Sequence, residues 1–188
     1  MRHPNIRSRA AWAAVILLTA ASAAAQPAGN LAGKAFGVIL FAQGTEVSIL
    51  RGGGYITYDP RIDDIIGLPV FAGDLIGTGD DTFLEIQLHP REAVLKIAEN
   101  TTFTVAGLSP EGGAELNLAY GRVRAKVLKF TGGEPFRVRG RGAVAGARGT
   151  DFGVDYIAER GGGGISPATK VYCFQGSVEV ALADVSAE

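Results

Sequence analysis

The chain has few of the residues from which enzymes build acid–base, nucleophilic and metal sites. Its 188 residues include one cysteine, Cys173, and two histidines. One cysteine cannot form an internal disulfide, and so few thiol and imidazole groups make an ordinary zinc site improbable. The glycines around Arg141 lead into Val144 rather than into a helix whose amino terminus would face a phosphate. We therefore expect no catalytic residue, no metal and no cofactor.

The few reactive side chains have structural explanations. Cys173 lies in an alternating run with no neighbouring histidine or lysine to activate it, so we expect a small apolar core residue. His89 precedes Pro90 in a predicted turn and should be exposed there. Acidic residues occur mainly as adjacent pairs, which point to opposite faces of a strand and could bind calcium only weakly in a turn. These acids are Asp63 with Asp64, Asp80 with Asp81, and Asp151 with the nearby Asp155.

The chain also lacks an apolar run long enough to cross a bilayer easily. Three arginines precede a short apolar segment at residues 10–21, and small residues at 23–25 follow it. This pattern is typical of a secretory signal peptide, and we expect one at residues 1–25 with cleavage after Ala25. A membrane anchor is the less favoured alternative, because spanning takes about 20 apolar residues.

Positive charge is not in excess. Removal of residues 1–25 takes the balance from 18 basic and 19 acidic residues to 15 and 19. A net negative surface does not favour nucleic acid or anionic lipid. We expect neither a nucleic-acid partner nor a membrane span after cleavage.

Glycine and strand periodicity are abundant instead. The chain has 27 glycines, and segments such as Leu84–Leu88 alternate apolar and polar residues as half-buried strands do. In segment 121–127 basic residues alternate with small apolar ones, which predicts a strand with a basic outer face. That face is either a solvated edge or a binding face. These features predict an all-β single domain, either a stacked sandwich or a short β-helix-like roll. We expect a flexible loop at Gly161–Gly164.

A short motif recurs along the chain. Gly121-Arg122-Val123 returns as Gly176-Ser177-Val178 and, more loosely, as Gly44-Thr45-Glu46-Val47. We interpret the three copies as repeated strand entries, in which glycine permits a tight turn or the close approach of another backbone.

Several short sequence blocks resemble a known family when they are taken together in their order and spacing. They are Gly73–Gly79, Asn100–Phe103, Leu118–Val123, Phe136–Val138, Gly142–Phe152 and Val171–Val180. Together they resemble the FecR-like domain over roughly residues 70–182. Asp80-Asp81-Thr82 and His89–Glu92 depart from the family pattern, so the first hairpin should differ in shape.

The resemblance implies a domain division and a structural signature. We expect an N-terminal β segment at 26–69 packed on a FecR-like domain at 70–182, with a tail at 183–188. Arg148 lies among small apolar residues, so we expect it to be buried and paired with Asp151 or Asp74. The signature residues are Gly73, Asp74, Thr78, Gly79, Gly121, Val123, Arg148, Gly149, Thr150, Phe152, Gly176 and Val178.

In the family, this domain lies in the periplasmic part of a transmembrane regulator that relays a transporter signal to a cytoplasmic sigma factor. We expect the present chain to lack the cytoplasmic segment that such control needs. The sequence favours a periplasmic or secreted, non-enzymatic module that binds an envelope protein or glycan, with a role in signalling. The alternative is a structural component that assembles through exposed strand edges.

Overall fold

A computed structural model describes residues 35–89, 93–108, 114–128, 135–161 and 164–183, where strands and turns alternate without any helix. The all-β single domain predicted from the sequence is confirmed. The predicted signal peptide and residues 184–188 lie outside the described ranges. The strands are β1 (Gly37–Gln43), β2 (Val47–Arg51), β3 (Gly54–Tyr58), β4 (Pro69–Val70), β5 (Leu75–Thr78), β6 (Phe83–Leu88), β7 (Ala93–Ile97), β8 (Thr102–Leu108), β9 (Ala114–Val127), β10 (Phe136–Gly140), β11 (Ala143–Ala147), β12 (Asp151–Gly161), β13 (Gly164–Gln175) and β14 (Val178–Leu182).

The strands form one continuous sheet that curls into two layers. The first layer has the order β4-β1-β6-β7-β9-β12-β13, and the second has the order β3-β2-β5-β8-β9-β10-β11-β14. All neighbours are antiparallel except β9 and β10. The long strand β9 belongs to both layers, because it pairs with β8 up to Tyr120 and with β7 and β12 from Gly121 onward. We call these layers the first and the second sheet.

Alternating side chains fill the space between the sheets. In β6 the buried residues are Leu84, Ile86 and Leu88, and the intervening side chains face outward. The same period continues through the neighbouring strands, so the apolar residues of both sheets meet in a single core. Its largest fully buried members are Phe36, Phe103, Phe152, Ile39, Ile76, Leu84, Ile86, Leu95, Ile97, Leu116, Val47 and Val70.

Three turns that carry the chain between the sheets share one construction. Each ends in a buried threonine whose hydroxyl donates a hydrogen bond to the carbonyl two residues earlier, over 3.0 to 3.2 Å. The residue between them is in the left-handed region, with φ values of 50°, 52° and 64°. The threonines are Thr82, Thr101 and Thr150, and the left-handed residues are Asp81, Asn100 and Gly149.

Each of these threonines packs against the glycine of one sequence repeat. Gly44 lies on Thr82, Gly121 on Thr101 and Gly176 on Thr150. The three glycines have φ values of 115°, 102° and 91°. The sequence repeats are therefore copies of one corner, at which a glycine without a Cβ lets the chain cross from sheet to sheet over a threonine.

The hairpin of β12 and β13 is longer than the sequence predicts. We expected a flexible loop at Gly161–Gly164, but Gly161 and Gly164 pair with each other at the end of the ladder between β12 and β13. Small residues obscure the alternation of apolar and polar side chains along β12 and β13, so the length of these strands was not evident from the sequence. Within the same hairpin, Gly153 and Tyr172 lie opposite each other, a pairing that shapes the site described below.

The crossing at Gly121 should be intolerant of any side chain. A Cβ there would lie 2.5 Å from the Cα of Thr101, and its φ of 102° is strained for other residues. We predict that Gly121→Ala lowers the free energy of unfolding by about 3 kcal/mol. Urea unfolding followed by circular dichroism measures the loss.

Gly67→Ala provides the matched control, because its φ of 83° is also positive but no atom lies within 4 Å of its Cβ position. It should cost only about 1 kcal/mol, the ordinary strain of the backbone. Equal losses in the two variants would contradict close packing at the crossing.

Candidate binding groove on the first sheet

The outer face of the first sheet aligns charged and aromatic side chains across five strands. The strand register places Glu85, Lys96, Arg124, Gly153 and Tyr172 in one row from β6 to β13. Because Gly153 has no side chain, the row is interrupted there. A depression forms between the arginines of β9 and the rings of β13.

This depression is an open groove of about 470 Å³. Its floor is the outer surface of β7, β9 and β12, and aromatic rings flank it on both sides. We call it the groove. Its lining residues include Phe83, Lys96, Arg122, Arg124, Gly153, Asp155, Tyr172 and Phe174.

Two exposed aromatic side chains form the wall on β13. The rings of Tyr172 and Phe174 are nearly parallel, at 15°, with centroids 6.4 Å apart. They are 41% and 55% exposed. The Cβ position of Gly153 is 3.4 Å from the Phe174 ring, so the rings rest over this glycine. Exposed rings side by side are unusual on a solvated sheet and indicate a contact surface.

The charged residues of the floor are paired with one another. Arg124 donates two hydrogen bonds of 2.7 Å to the carboxylate of Asp151, and its Cζ lies 4.3 Å from the Phe174 ring centroid. Arg122 and Lys96 form ion pairs with Asp155 and Glu85, over 3.5 and 2.7 Å. The three cations that line the groove are thus each neutralised by a carboxylate, of which Asp155 lines the groove itself and the other two lie beside it.

The Arg124 pair also fixes the ionisation of Asp151. The hydrogen bonds from the Arg124 guanidinium lower the pKa of the Asp151 carboxyl, and nearby lysines act in the same direction. A bidentate guanidinium–carboxylate contact of this kind holds both groups in one geometry. Arg124 is thereby held against Phe174, where a cation favours the face of the ring.

The signature residues lie in corners and core rather than in the groove, apart from Val123, whose strand lines it. Gly121, Thr150, Gly149 and Gly176 build the crossings. Two further residues tie neighbouring turns together: the Thr78 hydroxyl donates to the carbonyl of Ala98, and the Gly79 amide donates to the carbonyl of Glu46. Phe152 and Val123 are buried in the core, with Val178 packed beside it.

Asp74 anchors a polar cluster that sequence reasoning missed. Its fully buried carboxylate accepts hydrogen bonds from Arg51 Nε and Nη2, over 2.8 and 2.6 Å, and from the Phe71 amide over 2.8 Å. The same guanidinium donates to the carbonyl of Pro69. The hydrogen bond to Asp74 raises the pKa of Arg51. This cluster connects β2, β4 and β5, and no local pattern relates two residues so far apart in sequence.

The environment predicted for Arg148 is wrong. Arg148 is exposed, and its two expected partners pair with other arginines, Asp74 with Arg51 and Asp151 with Arg124. Its backbone explains its place in the motif, because its carbonyl accepts the Thr150 hydroxyl at the crossing. The small neighbours that suggested burial serve the turn instead.

The core position predicted for Cys173 is also wrong, because this residue is exposed. Cys173 pairs with buried Phe152 and points to the inner side of β13. β13 is the last strand of its sheet, where the inner side is not fully covered. His89 lies in the predicted turn after β6 but is half-buried rather than exposed.

The acidic residues of the described ranges do not gather into a metal site: no three histidine, cysteine or carboxylate side chains cluster there. Asp80 and Asp81 take part in the turn to β6, where Asp80 accepts from the Asn100 amide group. Asp63 accepts from the Asp59 amide. The described residues also form no helix that could cross a bilayer.

Two stacked, mainly antiparallel sheets around one core define an all-β sandwich domain. A family model described as FecR protein matches residues 74–179, more than half of the chain. The chain belongs to the FecR family, which associates it with signalling at the bacterial envelope. Neither the curated proteins nor the solved structures contain a match. The matched region begins at the buried Asp74. The strands before it, β1 to β4, lie at one end of each sheet: β4 and β1 in the first sheet, and β3 and β2 in the second.

The Arg124–Asp151 pair predicts a defined acid sensitivity. The pKa of the Asp151 carboxyl in the folded protein lies below its value of about 3.9 in the unfolded chain. The pair therefore stabilises the fold above that pH, and the stabilisation is lost as the pH falls through the folded-state pKa of Asp151. Because the Arg124 side chain is 46% exposed, solvent screens the pair, and we expect the stabilisation to be small. Urea unfolding at pH 6 and pH 3 should show a smaller acid loss in Asp151→Asn than in the wild type.

The exposed Asp64 supplies a charge-matched control, and Asp64→Asn should follow the wild type. An Asp151→Asn variant with the full wild-type acid loss would show that the pair does not stabilise the fold.

Proposed function

We propose that this chain is an exported, non-enzymatic module that binds a protein or glycan partner in the bacterial envelope through the groove. The observation that carries the proposal is the pair of exposed parallel rings beside a floor of balanced ion pairs. Concave sites with apolar walls and a few convergent polar groups are the usual form of binding sites.

The chemistry of the groove suits a polar partner without strong charge. Aromatic faces contact the apolar side of a sugar ring or a peptide side chain. The arginine–carboxylate pairs present donors and acceptors side by side, which suits hydroxyl and amide groups. Each cation of the groove is already bonded to a carboxylate, which a phosphate would have to displace, so the groove does not favour nucleic acid.

The proposal of binding without catalysis follows from the state of the acids. Asp155 lines the groove and Asp151 holds Arg124 against the Phe174 ring, and each of these carboxylates is engaged by an arginine. A general acid would need a raised pKa, whereas the arginine lowers the pKa of Asp151. These contacts support binding rather than general acid catalysis by the two carboxylates.

The periplasmic or secreted location is supported by two observations. The first is the basic, apolar and small-residue pattern at residues 1–25, and the second is membership of an envelope family. The same membership supports the proposal of a role in signalling. We propose that binding of the partner in the groove is the step by which this module takes part in signalling.

A second candidate function is assembly through strand edges. The edge strands β3 and β14 each pair with one neighbour among the described residues. Both carry exposed apolar side chains, including Tyr55, Ile56, Val180 and Leu182. Such edges are ready templates for another strand.

Gly153→Leu tests the groove directly. The new side chain would fill the floor below Tyr172 and Phe174 without entering the core, so binding should weaken at least about tenfold. We suggest two measurements: co-sedimentation with purified peptidoglycan, and pull-down of envelope proteins by the purified protein.

Gly146→Leu is the matched control, because Gly146 lies on β11 and the nearest atom to its Cβ position is 3.8 Å away. It adds the same side chain to the second sheet and should bind like the wild type. Wild-type binding by Gly153→Leu would exclude the groove. New products from cell-wall glycans or envelope peptides, abolished by changing Asp151 or Asp155 in a protein that still folds, would exclude a non-enzymatic role.

A further inference from the structure

We propose that the edge strand β14 docks a second copy of this chain, antiparallel, with the two-fold axis at Val180. The pairing would join the second sheets of the two copies into one continuous sheet. This inference develops the second candidate function, assembly through strand edges, and does not depend on the groove.

The backbone of β14 directs hydrogen-bonding groups away from β11, at an edge with which no described strand pairs. The Ala183 amide donates to the Gly142 carbonyl over 3.1 Å, which sets the alternation of the ladder with β11. In an antiparallel ladder, every second residue directs its N–H and C=O to the same neighbour. Glu179 and Ala181 therefore bond to β11, whereas Val178, Val180 and Leu182 direct theirs outward.

The side chains of the same three residues form an apolar row, in which Val178 packs beside the core and Val180 and Leu182 are exposed. They lie opposite Ala147, Ala145 and Ala143 of β11, and the first two of these alanines are buried in the core. The row thus belongs to the inner face of the second sheet. Val180 is nevertheless 53% exposed and Leu182 is 91% exposed, because the cover given by the described strands of the first sheet ends before β14.

Charge selects the register of the two strands. With the axis at Val180, Val178 faces Leu182 of the second copy, Glu179 faces Ala181, and the two Val180 residues face each other. All three outward-directed residues then form hydrogen-bonded pairs. An axis at Glu179 would oppose two carboxylates directly, which destabilises a strand pair, and an axis at Ala181 would leave Val178 outside the ladder.

The same geometry defines the kind of assembly. A strand paired with its own copy about a two-fold axis is a closed contact, so association stops at the dimer. A single pair of five-residue strands buries less than the roughly 800 Å² per partner of a stable interface. The dimer should therefore be weak and depend on protein concentration.

Disulfide trapping tests the register. In a Cys173→Ser background, Val180→Cys places two thiols opposite each other at a Cα separation of about 5.5 Å, within the range of a disulfide. Mild oxidation should give at least about five times more covalent dimer than the matched control, Glu179→Cys in the same background. The control residue points to the other face and lies opposite Ala181.

Sedimentation velocity of the wild type over a concentration series tests the association itself. We expect a reversible monomer–dimer equilibrium that is lost in Val180→Pro, which removes an N–H donor that no described strand uses. Val180→Lys provides a second variant with an unaltered backbone and should also be monomeric. Both variants should keep wild-type groove binding, whereas Gly153→Leu should keep the dimer, so the two proposals can fail separately.

Three results would overturn the proposal. The first is a wild type that stays monomeric at the highest concentration, and the second is equal trapping by the two cysteine variants. The third is a series of species larger than a dimer, which would indicate head-to-tail pairing of β14 with β3.

Discussion

The close approach of Gly121 to Thr101 is the constraint on which the two-layer structure depends. β9 can belong to both sheets only because the chain turns at this glycine, with a φ of 102° and without a Cβ. The Thr101 hydroxyl accepts the Arg122 amide over 3.0 Å, so a polar group at the turn stays bonded where the sheet ladder is interrupted. Two further corners repeat the arrangement and hold the remaining strands in register with it.

The groove follows from this crossing. Directly after Gly121, the side chains of β9 alternate between the core and the outer face, which places Arg122 and Arg124 outside. The register then brings Arg124 level with Gly153, where the missing side chain makes room for the two rings of β13. A shift of one residue at the crossing would turn the arginines inward and remove the groove. The fold and the proposed binding surface therefore share one cause.

Alternation made the fold class predictable, and the glycine repeats marked the positions at which the chain turns, because both are local features of the sequence. The groove was not predictable as a unit, since it joins residues of β6, β7, β9, β12 and β13. Alternation shows which face a side chain takes but not whether that face is covered, and Cys173 on the edge strand was misjudged for this reason. Small neighbours suggested burial of Arg148, although they serve a turn. The partner of Asp74, Arg51, is 23 residues away and has no local signature.

Hydrogen exchange at the crossings tests the central claim most directly. The amides of Thr101 and Arg122 donate to the hydroxyls of Thr78 and Thr101, over 3.1 and 3.0 Å. If these corners fix the two sheets to each other, both amides should exchange only through global unfolding, as slowly as those in the middle of β7. Exchange at least about 100-fold faster, as in a loop that opens locally, would contradict the role of the glycine–threonine crossings.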